Sequence, residues 1–482
     1  MVSKYKVFFE NPHREKPKLS IILLDWSVRG SFHTLDYLSR QNVRREDYEV
    51  IWVEFFGRRA EEIDKRIKES DKPPVDVWIA LGFPETLYFH RHILQNVGIA
   101  VAKGEIICLT DSDAIMKSNF VETVINAFEE NKNIEMHMEQ ARSWDHKFYP
   151  FNYPTVEDIV STEGNMVLDG KPLGFFGNVD PIHTHNYGAC LCARRDDLVA
   201  IGGIDEHFDY LGYVNGFYEA TIRLANIGRQ LMWHPTEYLY HLWHPGEAGA
   251  GNFVGPNDGR MLSLTALDIR RTGRTLPLTE NPAVRKLRLE PDFQASTEAL
   301  VELSVSEVIE EEWNIENVDK NFTPQPAIGP PTKSYYLKHL PMYTKLILPL
   351  IQIFAGQLWD YREYFKTLSP GRIIKLIKTF WSLTMSHGGY VVYKSRKCLK
   401  ELESRNIKEV ALYKTGAASR IFEIMTAESP GLRIASRHQS IDTVKDYTGT
   451  ILVACNVDFG DNVTVKELRD AGISPDQIML LL

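Results

Sequence analysis

The chain of 482 residues is poor in the features that mark secreted, membrane-spanning or nucleic-acid-binding proteins. Cysteine is scarce: Cys108, Cys190, Cys192, Cys398 and Cys455 make an odd count of five, mostly inside apolar runs. That pattern fits reduced, buried thiols rather than a disulfide framework. Cys190 and Cys192 form a C-x-C with no second pair, which leaves a four-ligand structural zinc site incomplete. The most lipid-like run, "LILPLIQIFAGQLW" (346–359), is broken by Pro349, Gln352 and Gln357 and falls short of the ~20 residues that span a bilayer. Residues 1–18 lack the apolar stretch of a signal peptide, so they read as a polar leader and the protein is expected in the cytoplasm. A net charge of −9 and the absence of a Lys/Arg block argue against nucleic acid as a partner.

What is present describes a globular protein: 44% of residues are hydrophobic and 25% charged, and the length suggests two or three domains. "LSIILLDW" (19–26), "YEVIWVEFF" (48–56), "VDVWIAL" (75–81) and "IICL" (106–109) read as strands, separated by helical patterns over 31–41, 61–70 and 93–103. This alternation predicts an α/β domain with a mostly parallel sheet, spanning 19–275. Residues 276–334 read as a Pro-bearing linker with one helix, and 335–405 as a helical region in which Arg372, Lys375 and Lys378 recur at helical spacing beside apolar residues. Such a basic amphipathic face can rest on an anionic membrane, although packing on a neighbouring domain is the plainer reading. Strand, turn and helix alternate again over 406–482, a small doubly wound, Rossmann-like domain. With only Gly416 at its first turn, it lacks the fingerprint for pyrophosphate.

Ligands of parallel sheets gather beyond the carboxyl ends of the strands. Asp25, Glu54, Asp111 and Asp113 each end or follow such a strand, so acidic groups from separate elements are expected on one edge. In an extended segment Asp111 and Asp113 would point the same way, with Ser112 turned elsewhere, and could hold one hard cation against substrate phosphates. Taken alone, D-x-D carries little weight, since about one occurrence is expected by chance in a chain this long. A solvated turn is the bland alternative.

Context adds to it. The passage in which Asn96, Gly98, Ala102, Lys103, Gly104 and Glu105 precede Asp111-Ser112-Asp113 resembles the nucleotide-sugar half of the inverting family-two glycosyltransferases. A second block, "YGACLCARRDDLVAIGGIDEHFDYLGYVNGFYEATIRLANIG", is similar to the acceptor side of the same family, and the resemblance covers about residues 19–250. It implies a GT-A fold, a nucleotide-diphosphate sugar as donor, a saccharide or lipid-linked glycan as acceptor, and Mn2+ or Mg2+. By the same resemblance Asp25, Glu54, Asn96 and Ser112 belong to the donor site, while Asp111 and Asp113 bind metal and diphosphate. The family usually has Pro-Thr-Tyr-Asn where this chain has "LDWS", so the nucleotide base stays open.

Inverting transfer needs a carboxylate that takes the acceptor hydroxyl's proton. Val214 and Asn215 stand where the family often carries Glu-Asp, and an amide cannot serve as that base. Counting back from Arg223-Leu224 favours Glu219, with Asp205 and Asp209 in reserve; the bland reading of Glu219 is an exposed helix residue. In "WHPTEYLYHLWHPGEAGAGN", His244 and His241 rank above His234 as a further metal ligand, and the glycine-rich run after them could be a flap. Two rival readings remain: a phosphohydrolase of the haloacid-dehalogenase type, with "VDFGDN" (457–462) as its distant acidic pair, and a non-catalytic nucleotide- or sugar-binding module. The C-terminal domain could recruit a partner or orient the chain near a lipid-linked acceptor.

Overall fold

The computed structural model describes residues 5–12, 16–143, 145–149, 151–160, 167–168, 171–172, 185–212, 217–244, 255–258, 262–321, 347–351, 354–355, 358–359, 370–427, 431–454 and 463–481. The chain divides into two compact units, the first carried mainly by residues before 328 and the second mainly by those after.

The first unit is built on an eight-stranded mixed sheet: β1 (Lys6–Glu10), β2 (Leu19–Asp25), β3 (Tyr48–Glu54), β4 (Val77–Ala80), β5 (Ile106–Asp111), β6 (Ile134–Ser143), β7 (Cys190–Arg194) and β8 (Gln230–Leu242). Their spatial order is β1-β4-β3-β2-β5-β7-β6-β8. β4, β3, β2 and β5 run parallel, and every residue of β2 and β3 is buried. That burial explains why these strands read as near-continuous apolar runs: both faces are covered. Ile22 and Leu24 enter one core while Leu19, Ile21 and Leu23 enter the other, as a period of two requires. Helix α1 (His33–Leu38) follows β2, α2 (Glu61–Glu69) follows β3, α3 (Arg91–Val101) precedes β5 and α4 (Phe120–Glu130) precedes β6. α3 is buried along its whole length. Gly98 permits its close approach to β2, since a Cβ there would stand 2.4 Å from Ile22 Cγ2.

Two boundary expectations are corrected. The polar leader contains β1, which pairs antiparallel with β4 from Lys6↔Ala80 to Glu10↔Val77. The expected linker over 276–334 is in large part core. Helices over Pro282–Leu289 and Thr297–Val305 contribute Ala283, Val284, Leu300, Val301 and Val305 to the cluster that includes α3, and Trp313 and Val318 join them. Short helices between polar, Pro-bearing turns give too little periodicity to be recognised as core from sequence.

The second unit holds a long helix over Pro370–Ser404 and a four-stranded, all-parallel sheet of β9 (Glu409–Tyr413), β10 (Arg433–His438), β11 (Thr450–Val453) and β12 (Ile478–Leu480), in the order β10-β9-β11-β12. A helix over Ala417–Thr426 follows β9 and another over Val463–Asp470 precedes β12, which is the expected doubly wound pattern. The side chains of Arg372 and Lys375 lie outside the described residues; Lys378 is exposed. No described helix is long and apolar enough to cross a membrane.

Candidate metal centre at the strand edge

The register of the sheet brings the predicted carboxylates to one edge. Asp25 pairs with Glu54, and Leu24 with Asp111. Beyond β5 the chain turns, and Asp113 is buried with 5% of the residue exposed. Its Oδ2 lies 3.0 Å from Nε2 of His244 and 3.3 Å from Nε2 of His241, and the Arg29 guanidinium reaches the same oxygen. Its Oδ1 is buried with no hydrogen-bond partner among the described residues. One ligand atom from each of Asp113, His241 and His244 can be chosen so that all lie within 4.8 Å of one another.

Backbone pairing builds this trio. Ile115 and Tyr240 exchange both hydrogen bonds, at 2.7 and 3.0 Å, which lays the end of β8 beside the turn and delivers His241. The Thr34 hydroxyl stands 2.8 Å from the carbonyl oxygens of Ser112 and Ala114, and His33 Nε2 donates to the Asp113 carbonyl at 2.9 Å. Burial lowers the His33 pKa to about 4, so at neutral pH this is a neutral donor. Ser112 donates its hydroxyl to the Leu24 carbonyl and accepts from Arg29 Nε at 2.8 Å, which fixes Arg29 as well. Burial on its own would raise the Asp113 pKa, but Arg29 and the two histidines outweigh it and hold the carboxyl well below its usual range. Two imidazole nitrogens and an ionised carboxylate with one unsatisfied buried oxygen are a donor set for a divalent transition ion.

The other predicted residues stand elsewhere, several of them in scaffolding roles. Asp111 does not join the trio: its Oδ1 accepts from Arg91 Nη2 at 2.9 Å and its side chain is 28% exposed. β5 ends at Asp111, so strand alternation no longer governs Asp113 and the expected two-carboxylate clamp does not form. Asp25 is fully buried; Oδ1 accepts the backbone N–H groups of Trp26 and Val28 at 2.8 and 3.2 Å, and Oδ2 accepts from Arg58 at 2.6 Å. Glu54 accepts the Ser27 hydroxyl at 2.7 Å; burial, then the Asp25 charge, raise its pKa to about 7. Both carboxylates shape the loop that carries Arg29.

Asn96 is taken up by a buried turn contact. Its amide is buried against the Gly202–Glu206 turn, donating to the Ile204 carbonyl at 2.7 Å and to Glu206 at 2.8 Å while accepting the Ile204 N–H at 2.7 Å. Glu219, on the helix Tyr218–Asn226, is corrected from both of its expected readings: it is neither exposed nor open to a substrate. It is 1% exposed, takes Arg223 Nε at 2.7 Å and Nη2 at 2.9 Å, and accepts the Asp205 N–H at 2.9 Å. Burial, only partly offset by Arg223, raises its pKa to about 6. Asp205 is fully buried and accepts backbone N–H groups from His207, Leu278 and Thr279. Asp209 differs: its side chain is 19% exposed, and its Oδ2 accepts the Thr265 hydroxyl. His234 Nδ1 accepts the Glu237 N–H at 2.9 Å, capping a turn inside β8 away from the trio. Val214, Asn215, the glycine-rich run and 457–462 lie outside the described residues.

Sequence reading missed Arg29, Arg58, Arg91 and His33. The signal for Arg29 was its place in "DWSVRG", directly after a strand that ends in a carboxylate.

No protein-family model and no curated protein sequence matches the chain. Among solved structures it is similar to a fragment of S. aureus TarS, at 13% identity over 47% of this chain and 60% of that one, with a TM-score of 0.32. A mannosyltransferase from Pyrobaculum calidifontis in complex with GDP-Man and Mn2+ gives 13% identity over 78% and 88%, with a TM-score of 0.34. GalNAc-T7 with UDP, GalNAc and Mn2+ gives 14% over 63% and 57%, with a TM-score of 0.35. The chain thus spans less than two thirds of the TarS fragment and of GalNAc-T7.

Proposed function

We propose that the chain is a metal-dependent glycosyltransferase of the inverting, family-two kind, with a GT-A fold in its first unit. It moves a sugar from a nucleotide-diphosphate sugar to a saccharide or glycolipid acceptor in surface-glycan assembly, in the cytoplasm or at the inner face of the membrane. The observation that carries this reading is Asp113, an ionised and buried carboxylate with an unpaired oxygen, set beside two imidazoles at the carboxyl edge of the parallel strands. Asp113, His241 and His244 would hold the ion, and imidazole ligation favours Mn2+ over Mg2+. Such an ion, when bound, neutralises charge on a departing diphosphate.

The chain's own residues supply the rest. Arg29 and Arg91 stand at the same edge and offer guanidinium groups to phosphate oxygens. Asp25 and Glu54 position the loop on which the nucleoside rests. Asp209 takes the acceptor proton: of the three acidic candidates it alone has a carboxylate more than marginally exposed, and Thr265 orients it.

A thermal-shift screen of nucleoside diphosphates and their sugars, with and without Mn2+, tests the reading. A rise in melting temperature that requires both metal and a nucleoside diphosphate is expected. If no nucleotide shifts the protein with Mn2+ present, the reading is wrong. The sealing of Glu219 and Asp205 inside the fold favours one alternative, a binding module without turnover. That alternative gives the same shifts but no release of nucleotide from the donor sugar when acceptor is added.

A further inference from the structure

We infer that a second metal centre lies inside the sheet of the first unit: Cys108 on β5 with Cys190 and Cys192 on β7 form a three-thiol pocket for one soft, monovalent cation such as Cu(I). β5 and β7 are adjacent and antiparallel, with Cys108 opposite Cys192 and Thr110 opposite Cys190. Cys190 and Cys192 are two apart on one strand and so share a face. The Sγ of Cys108 is 3.8 Å from that of Cys190, which is 3.7 Å from that of Cys192, and all three sulfurs lie within 4.8 Å of one another. Three thiolates bonded at ~2.3 Å to a shared ion in a trigonal plane stand about 4 Å apart, so little movement separates the thiol cluster from a ligand set.

The surroundings select the ion. All three cysteines are fully buried in an apolar cluster that also contains Met116, Met136 and Met138, and Met136 pairs with Cys192 across β6 and β7. No imidazole or carboxylate belongs to the group among the described residues. Zinc wants a fourth, usually nitrogen or sulfur, ligand in a tetrahedral site, whereas thiolate and thioether sulfur favour Cu(I). The C-x-C motif looked incomplete in sequence because its third sulfur comes from a strand 82 residues earlier. Each thiol that becomes a ligand releases its proton to solvent; no oxidant or reductant takes part.

The test uses the full chain, kept reduced and anaerobic, and Cu(I) supplied as its acetonitrile complex against a chromophoric Cu(I) chelator. Because the pocket is sealed, the titration is run on native protein and also during refolding from urea. One equivalent of Cu(I) is expected to resist the chelator, with thiolate-to-copper absorption in the near ultraviolet. Cys190→Ser, which keeps the shape, should lower the affinity at least 100-fold. X-ray absorption at the copper edge of the unmodified protein reads the ligands without any variant, and a shell of sulfur alone is expected. Failure to retain copper by either route, or a shell dominated by nitrogen, overturns the proposal. Retention by Cys190→Ser equal to that of the unmodified chain overturns it as well.

Discussion

Replacing Asp113 by Asn tests the strand-edge centre most directly, because the amide keeps the shape and removes the charge. Asp113 and Arg29 are 7% and 8% exposed at their side chains, so the change leaves a guanidinium buried without its anion. Breaking a buried pair in this way costs about 3–5 kcal/mol. Arg29 keeps Ser112 Oγ as an acceptor at 2.8 Å, which places the expected loss near the lower end, about 3 kcal/mol by urea denaturation without metal. Removing even an outer partner of a metal ligand commonly lowers affinity about 10- to 100-fold, so removal of a ligand should cost at least about 100-fold. Mn2+ titration followed by electron paramagnetic resonance measures this. Asp111→Asn is the control: its pair with Arg91 is partly open to solvent, so about 1 kcal/mol and less than a threefold change in Mn2+ affinity are expected. If Asp113→Asn binds Mn2+ as tightly as the unmodified chain, or Asp111→Asn weakens it equally, the assignment of the centre to Asp113, His241 and His244 is refuted.

Glu219→Gln should cost about 3 kcal/mol by leaving Arg223 buried without its anion, yet change transfer per folded molecule less than about threefold. Asp209→Asn should do the reverse, lowering transfer about 100- to 10,000-fold with little change in the urea midpoint; donor-sugar turnover measured beside unfolding curves separates the two. Burial raises the Glu206 pKa to about 8, against the pull of Asn96 and Asn281. Because the folded value exceeds the unfolded one, the stability linked to this proton is fully present below about pH 4.3 and is lost as pH rises through about 8. Glu206→Gln should therefore flatten the stability profile between those limits, and a profile parallel to that of the unmodified chain would refute the assignment. Gly203 has φ +73° and would place a Cβ 2.4 Å from Asn96 Oδ1, so Gly203→Ala should cost more than about 1 kcal/mol in urea denaturation; an unchanged midpoint would show that the turn relaxes freely.

The sheet was legible because its strands are short apolar runs ending in carboxylates, and the register confirms that Asp25, Glu54 and Asp111 share an edge. His241 and His244 were legible as candidates, but their meeting with Asp113 depends on the Ile115–Tyr240 bridge, a pairing between positions far apart in the chain that no local pattern encodes. Asp113 escaped the alternation rule for a local reason: the strand had already ended.

The family-like motif residues carry a different lesson. Asn96 and Glu219 were read as chemistry, yet with Gly203, Glu206 and Arg223 they form one buried polar network. Asn96 clamps the turn at Ile204, Glu206 accepts from Asn96 and from Asn281, and Arg223 ties Glu219 to the carbonyls of Ile201 and Gly203. A polar motif can thus serve the packing of one segment on another, because a buried turn must have its carbonyl and N–H groups met by side chains. The sequence held a usable warning: Glu219 and Arg223 are four apart on one helix, the spacing of an ion pair, and a carboxylate so paired is poorly placed to accept a substrate's proton. Asp209 is paired with no arginine among the described residues; its Oδ2 lies 3.5 Å from His207 Nδ1, and of the three acidic candidates its carboxylate is the one that the fold leaves partly open.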